Sequence, residues 1–144
     1  MKDRKIKMSV IITDTGFAPD DWTGGFVAVA DLAANDDNIG VDLASTADPH
    51  GLANRLTSIP LIRIDFPAFS DGRGFTIART LRAIGYKGRL RAKGHVIPDQ
   101  YAMARRAGFD EVEISDDLAA RQPEQDWLRR ANWRMHDYQS RLRA

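Results

Sequence analysis

The chain contains no cysteine. Disulfides, thiolate nucleophiles, thiol relays and Cys-ligated zinc or iron–sulfur centres are excluded together. Electron transfer would need a bound organic cofactor or a partner protein. Histidine is scarce, with His50, His95 and His136 alone, so no imidazole metal site is expected. No apolar run approaches the roughly 18 residues that span a bilayer. The N-terminal MKDRKIKMSVIIT lacks the long apolar region and small-residue cleavage site of a signal peptide and reads as the start of a cytoplasmic protein. Neither G-x-G-x-x-G nor a Walker loop occurs. No helix-turn-helix, zinc finger or RNP-like aromatic motif accompanies the basic residues, so neither nucleic acid nor membrane is an expected partner.

What is present fits one soluble domain, residues 1–144, with 43% hydrophobic and 28% charged residues. A chain of this length buries about two-thirds of its unfolded surface. Its charge comes in blocks. Residues 1–7 carry four bases against one acid, and 14–71 ten acids against Arg55 and Arg63. Nine bases face Asp99 alone in 73–106, seven acids face Arg121 in 110–126, and five arginines face Asp137 in 127–144. Either the blocks form separate surfaces of opposite sign or they neutralise each other across the fold.

Short apolar runs at 8–12, 26–30, 39–45, 61–66, 89–96 and 111–114 read as strands. Asp48 and Pro49 suit the start of a helix of about ten residues. Phe75, Ala78, Leu81 and Ile84 mark a helix closed by Gly85, Pro98 opens another closed by Gly108, and Ser115 caps a short third. Residues 124–142 predict the longest helix, with Trp127, Ala131, Met135, Tyr138 and Leu142 on one stripe. Trp133 lies about 240° around that helix from Trp127 at 100° per residue, facing either a partner or a second buried surface. Strand–helix alternation with short links predicts an α/β domain with a mainly parallel sheet of β-α-β units. Helices on both faces would make a three-layer sandwich, and helices on one face a partial barrel. The 123–144 segment, rich in Arg and Trp, is a candidate homodimer interface.

The densest chemistry lies in FPAFSDGRGFT, residues 66–76, after a strand and at the start of a helix, where open α/β sheets bind ligands. Backbone amides of Gly72, Arg73, Gly74 and Phe75 can approach an anion at the helix start, and the Arg73 guanidinium can grip an oxyanion in two-pronged fashion. Alternatively Asp71 caps the helix and Arg73 is solvated. On the adjacent strand end, His95 follows Lys93 and Gly94. Together with Asp65 and Asp71 it would suit proton transfer, with Asp99 and Gln100 supporting it from the next helix start. Arg89, Arg91 and Lys93 alternate on one strand face, to serve an anion (Arg91 foremost) or to pair with Glu111 and Glu113.

FPAFSDGRGFTIARTLR, followed by GYKGRLRAKGHVIPDQ and RRAGFDEVEI, resembles a bacterial domain-of-unknown-function family labelled as oxidoreductases of sulfite reduction. Its pattern runs F-P-x-F-x-D-G-R-G-[FY]-[ST]-x-A-R-x-L-R, then G-x-[LI]-R-A-x-G-D-V-x-x-D-Q, then G-F-D. The correspondence covers Phe66–Arg82, Arg91–Gln100 and Gly108–Asp110. His95 stands where Asp is usual and Pro98 where a basic residue is common. The resemblance implies an oxidoreductase or accessory protein of assimilatory sulfite reduction, binding an anion at 71–75. Sulfite, a flavin phosphate or a partner's acidic group would fit there. The alternatives are an adaptor docking sulfite reductase or its electron donor, and a small-molecule enzyme using His95 with Asp65 or Asp71.

Overall fold

The computed structural model describes residues 9–33 and 38–134. Seven strands form one sheet: β1 (Ser9–Thr13), β2 (Gly16–Pro19), β3 (Phe26–Ala28), β4 (Gly40–Leu43), β5 (Leu61–Phe66), β6 (Arg89–Gly94) and β7 (Glu111–Ser115). The helices are α1 (Arg73–Ala83), α2 (Tyr101–Ala107), α3 (Asp116–Arg121) and α4 (Glu124–Leu128). Strand order is β2-β1-β7-β6-β5-β4-β3. From β3 to β7 all pairs are parallel, whereas β1 is antiparallel to both β7 and β2. This is a single α/β domain with a mostly parallel sheet.

The order decides between the two layer arrangements. From β3 to β7 each strand lies beside its predecessor and every step runs the same way, so right-handed crossovers put all the connections on one face. Strand residues on that face are apolar: Val41, Leu43, Ile62, Ile64, Phe66, Leu90, Ala92, Val112 and Ile114 are at most 2% exposed. Phe75, Ala78 and Leu81 of α1 and Ala104 of α2 join them in the core.

The other face is charged and is crossed by the chain itself. Because β2 and β3 occupy opposite edges, the segment between them must traverse the sheet. A flat seven-stranded sheet would separate those edges by six spacings, roughly 29 Å. The seven residue steps from Pro19 to Phe26 reach about 25 Å at most. The sheet therefore curls over this strap, as in part of a barrel. Asp20 accepts from Arg91 at 3.1 and 3.2 Å, Asp21 pairs with Arg89 at 2.5 Å, and the Phe26 ring lies 3.6 Å from the Arg63 guanidinium.

Three elements differ from the sequence reading. Strand β2 was not expected, because Gly16-Phe17-Ala18-Pro19 is short and ends in proline. The helix expected after Pro49 is replaced by two 3₁₀ turns, Pro49–Leu52 and Leu56–Ser58. Asp48 does cap the first by accepting from the His50 amide at 3.0 Å, but Gly51, Asn54, Thr57 and Ser58 propagate a helix poorly. The long terminal helix also breaks. Helix α4 stops at Leu128, and Arg130 and Ala131 bond back three residues, to Trp127 and Leu128. Trp127 is buried, while the Trp133 indole donates to Asp14 at 3.2 Å and stacks under Arg105 at 4.6 Å. A straight helix would aim these rings about 240° apart, so the tightened turn brings both onto the chain's own body. Met135, Tyr138 and Leu142 lie outside the described residues.

Candidate functional site

On the strap-facing side of the sheet, the charged side chains follow strand register. Arg63 pairs in register with Arg91 and with Asp42, and Arg91 with Glu111. Arg91 is fully buried and donates to Glu111 at 2.6 Å and Glu113 at 2.8 Å in addition to Asp20. Burial opposes its charge, but these carboxylates outweigh burial and raise its pKa above the ordinary arginine value. Arg63 donates to Asp42 at 2.6 and 2.9 Å and to Glu113 at 3.1 Å. Arg89 joins Glu111 at 3.0 Å. The alternating arginines of β6 thus meet the alternating glutamates of β7, as one of the two sequence readings held. Acids of the 14–71 block neutralise bases of the 73–106 block through Asp20, Asp21 and Asp14. No buried side-chain polar atom among the described residues lacks a partner.

One row nearer the carboxyl ends of the strands, the pattern changes. Lys93 and Glu113 are register partners and would ordinarily pair across neighbouring strands. Glu113 turns away instead. One oxygen accepts from Arg63 and Arg91, and the other from the Ser9 hydroxyl at 2.8 Å. Its side chain is 4% exposed. Lys93, half-buried, has no ion pair with any described residue. It lines a crevice of about 340 Å³ with Ser9, Gly94, His95, Glu113, Ile114, Ser115 and Leu118. The crevice lies at the carboxyl ends of β6 and β7, where α/β sheets place their ligands.

Gly94 shapes this end of β6. Its φ is +122°, and a Cβ there would lie 2.5 Å from the Phe66 carbonyl oxygen. The close approach lets the His95 amide donate to that carbonyl at 2.9 Å and turns the imidazole toward the Phe69 ring, 5.3 Å away and edge-on. Phe69 is itself exposed. Gln100 clips the two loops together: its carbonyl accepts from the Ile97 amide at 3.0 Å, and its amide donates to the Phe69 carbonyl at 2.8 Å. Asp99 points elsewhere and pairs with Arg130.

The 71–75 loop holds a carboxylate of its own. Asp71 accepts from the Arg73 amide at 3.1 Å and from the Arg73 guanidinium at 3.0 and 2.7 Å. The Arg73 side chain and then its amide, aided by the Ser45 hydroxyl, hold the Asp71 carboxyl well below the usual range. The Phe75 amide bonds to the Gly72 carbonyl at 3.1 Å. Gly74 lies against the Phe66 ring, where a Cβ would come within 2.5 Å, so it allows α1 to approach β5. Arg73 borders a separate groove of about 540 Å³ with Ser45, Asp48, His50 and Thr76.

The candidate residues therefore divide. His95 stands in the crevice with Lys93, Asp71 and Arg73 hold each other, Asp65 is exposed and lines neither cavity, and Arg91 is enclosed beneath the strap. No hydrogen bond joins the His95 ring to Asp65 or Asp71, and no group of three His, Asp or Glu among the described residues is placed to hold a metal ion. Ser9, Glu113 and Ser115 were absent from the sequence-derived site. The period-two alternation of β6 and β7 signalled their face, but the turning of Glu113 depends on Arg63 and Ser9, far away in sequence.

Among the described residues no helix is long and apolar enough to cross a membrane. A search of curated proteins found no match to the chain. The family model described as bacterial protein of unknown function (DUF934) matches residues 40–144, from β4 onward, and so covers every crevice residue except Ser9. On that match the chain belongs to the DUF934 family of bacterial proteins.

Proposed function

We propose that this protein is an accessory protein of assimilatory sulfite reduction that holds a small oxyanion of the sulfite class in the crevice at the ends of β6 and β7. The observation that carries the reading is the ammonium of Lys93, left without an ion pair among the described residues because its register partner Glu113 is held by Arg63, Arg91 and Ser9. An oxyanion there would accept from Lys93 and from an imidazole N–H of His95. This relocates the anion from the 71–75 loop, where Asp71 already meets the Arg73 amide and guanidinium. The link to sulfite reduction rests on the sequence resemblance over residues 66–110. On the same reading the protein acts in the cytoplasm as a homodimer, with sulfite reductase or its electron donor as partner.

The test is a titration with sodium sulfite followed by NMR, with sodium chloride at matched ionic strength as control. Saturable shifts at the amides of Lys93, His95 and Ser115 are expected, and Lys93→Met should weaken them at least tenfold. Shifts that match those in chloride, or that survive Lys93→Met, would refute the site. Co-purification with sulfite reductase and light scattering at micromolar concentration test the partner and the dimer.

A further inference from the structure

The crevice is larger and less polar than a bare oxyanion requires. Its volume of about 340 Å³ falls in the roughly 300–1,000 Å³ range of small-molecule sites. Lys93 and His95 enter it from the end of β6, while Ile114 of β7 and Leu118 of the helix that follows supply apolar wall. Leu118 belongs to the first turn of α3, which is fixed by the Ser115 hydroxyl accepting from the Leu118 amide at 3.2 Å. The Leu118 side chain therefore borders the cavity from a capped helix rather than from a loop. Glu113 adds a second constraint. Both of its oxygens already accept, from Ser9, Arg63 and Arg91, so little of its acceptor capacity remains for an ammonium group on a ligand, and the Lys93 charge would repel one.

We infer, building on the oxyanion reading above, that the crevice takes an organic anion with a short apolar arm and no cationic group, its head at Lys93 and His95 and its arm along Leu118. The wall and the head contacts make separate demands, so they can be tested separately. The probes are the straight-chain alkanesulfonates from methane- to pentanesulfonate, whose heads stay ionised at any working pH, and sodium sulfite as the armless ion. Calorimetry or NMR titration should show affinity rising about fourfold per methylene, the equivalent of about 0.8 kcal/mol for each buried CH₂, until the arm outgrows the crevice. Lys93→Met should weaken every member of the series by a similar factor, leaving the slope with chain length intact. Leu118→Asn should flatten the slope and spare sulfite. The wild-type series needs no variant to fold.

Sulfite binding that depends on Lys93, combined with equal affinity along the series, would overturn the apolar arm and leave the oxyanion reading in place. No binding of sulfite or of any sulfonate would overturn both. A slope that persists in a folded Leu118→Asn protein would refute this wall as the contact.

Discussion

The two faces of the sheet are made by the same strands, residue by residue in alternation, yet they are held by opposite physics. Toward the helices, Ile62, Ile64, Phe66, Leu90, Ala92 and Val112 are fully or almost fully buried among apolar side chains. Toward the strap, Arg63, Arg91, Glu111 and Glu113 are enclosed among one another. Area burial on the first face is non-directional and indifferent to register within limits. The second face is demanding, because each guanidinium must meet particular carboxylates. A one-residue slip of β6 would turn Arg91 into the apolar layer. The apolar face thus supplies most of the driving force, and the charged face makes one strand alignment the satisfied one. The comparison bears on function too, since the crevice lies where the charged face runs out and Lys93 has no ion pair among the described residues.

The largest effect is expected from breaking the charged face at its centre. Arg91→Met leaves Glu111 and Glu113 enclosed with fewer partners. It should cost about 3–5 kcal/mol, the usual result of removing one member of a buried ion pair. Adding Glu111→Gln and Glu113→Gln to the same chain should recover part of that loss, because no unpaired charge then remains. Urea unfolding measures both. A loss below about 1 kcal/mol for Arg91→Met would mean that water reaches the glutamates and that the strap does not seal the face.

Next comes the apolar face. Leu81 of α1 is fully buried, and Leu81→Ala should cost about 2–5 kcal/mol through lost transfer energy and a residual cavity. Unlike Arg91→Met, its cost should not depend on pH between 4 and 8. A pH-dependent cost would couple the two faces in a way that the apolar layer does not explain.

Acid sharpens the contrast. Burial raises the carboxyl of Asp20, but the Trp22 amide and Arg91 outweigh it and hold the pKa below the ordinary value. At Asp14, burial is likewise outweighed, by Tyr101, Trp133 and Arg105. The Arg89 contact lowers Asp21 against a smaller effect of burial. A carboxylate with a depressed folded pKa stabilises the fold above its unfolded value, about 3.9, and that contribution is lost as pH falls through the folded pKa. Stability should therefore hold from pH 7 to about 5 and decline below about pH 4. Asp20→Asn should lower stability at pH 7 and make the acid decline shallower. An unchanged acid profile would remove the strap from the acid response.

How much of this was legible in the sequence follows from which signals are local. Gly85 and Gly108 closing helices, and Ser115 capping α3, need only neighbouring residues, and they stand where expected. The alternation of Arg89, Arg91 and Lys93 revealed a face without revealing its partners. Asp42 and Asp20 come to that face through a strap and a strand order that no local pattern encodes. The break after Leu128 escaped because Trp127 and Trp133 choose their directions from Tyr101, Arg105 and Asp14, not from helical periodicity. For the site, His95 was visible as a strand-end histidine. That Lys93 has no ion pair among the described residues was not, since it depends on where Glu113 turns.

The smallest effect should come from an ion pair that resembles the buried ones in composition and differs in setting. Asp99 and Arg130 form a close pair, but their side chains are 70% and 36% exposed. Water already solvates both groups, so the pair gains little by meeting, and holding two flexible side chains in one geometry offsets part of that gain. Asp99→Asn should change stability by no more than about 1 kcal/mol. Raising the salt to 1 M, where the screening length falls to about 3 Å, should erase the difference from wild type. The cost of Arg91→Met should survive the same salt, because Arg91, Glu111 and Glu113 are at most 6% exposed and ions do not reach them. A loss above about 2 kcal/mol at Asp99, or one that persists in high salt, would show that this contact holds the turn after α4 against the start of α2. The division between enclosed and open charge would then fail where the turn after α4 meets the loop that follows β6.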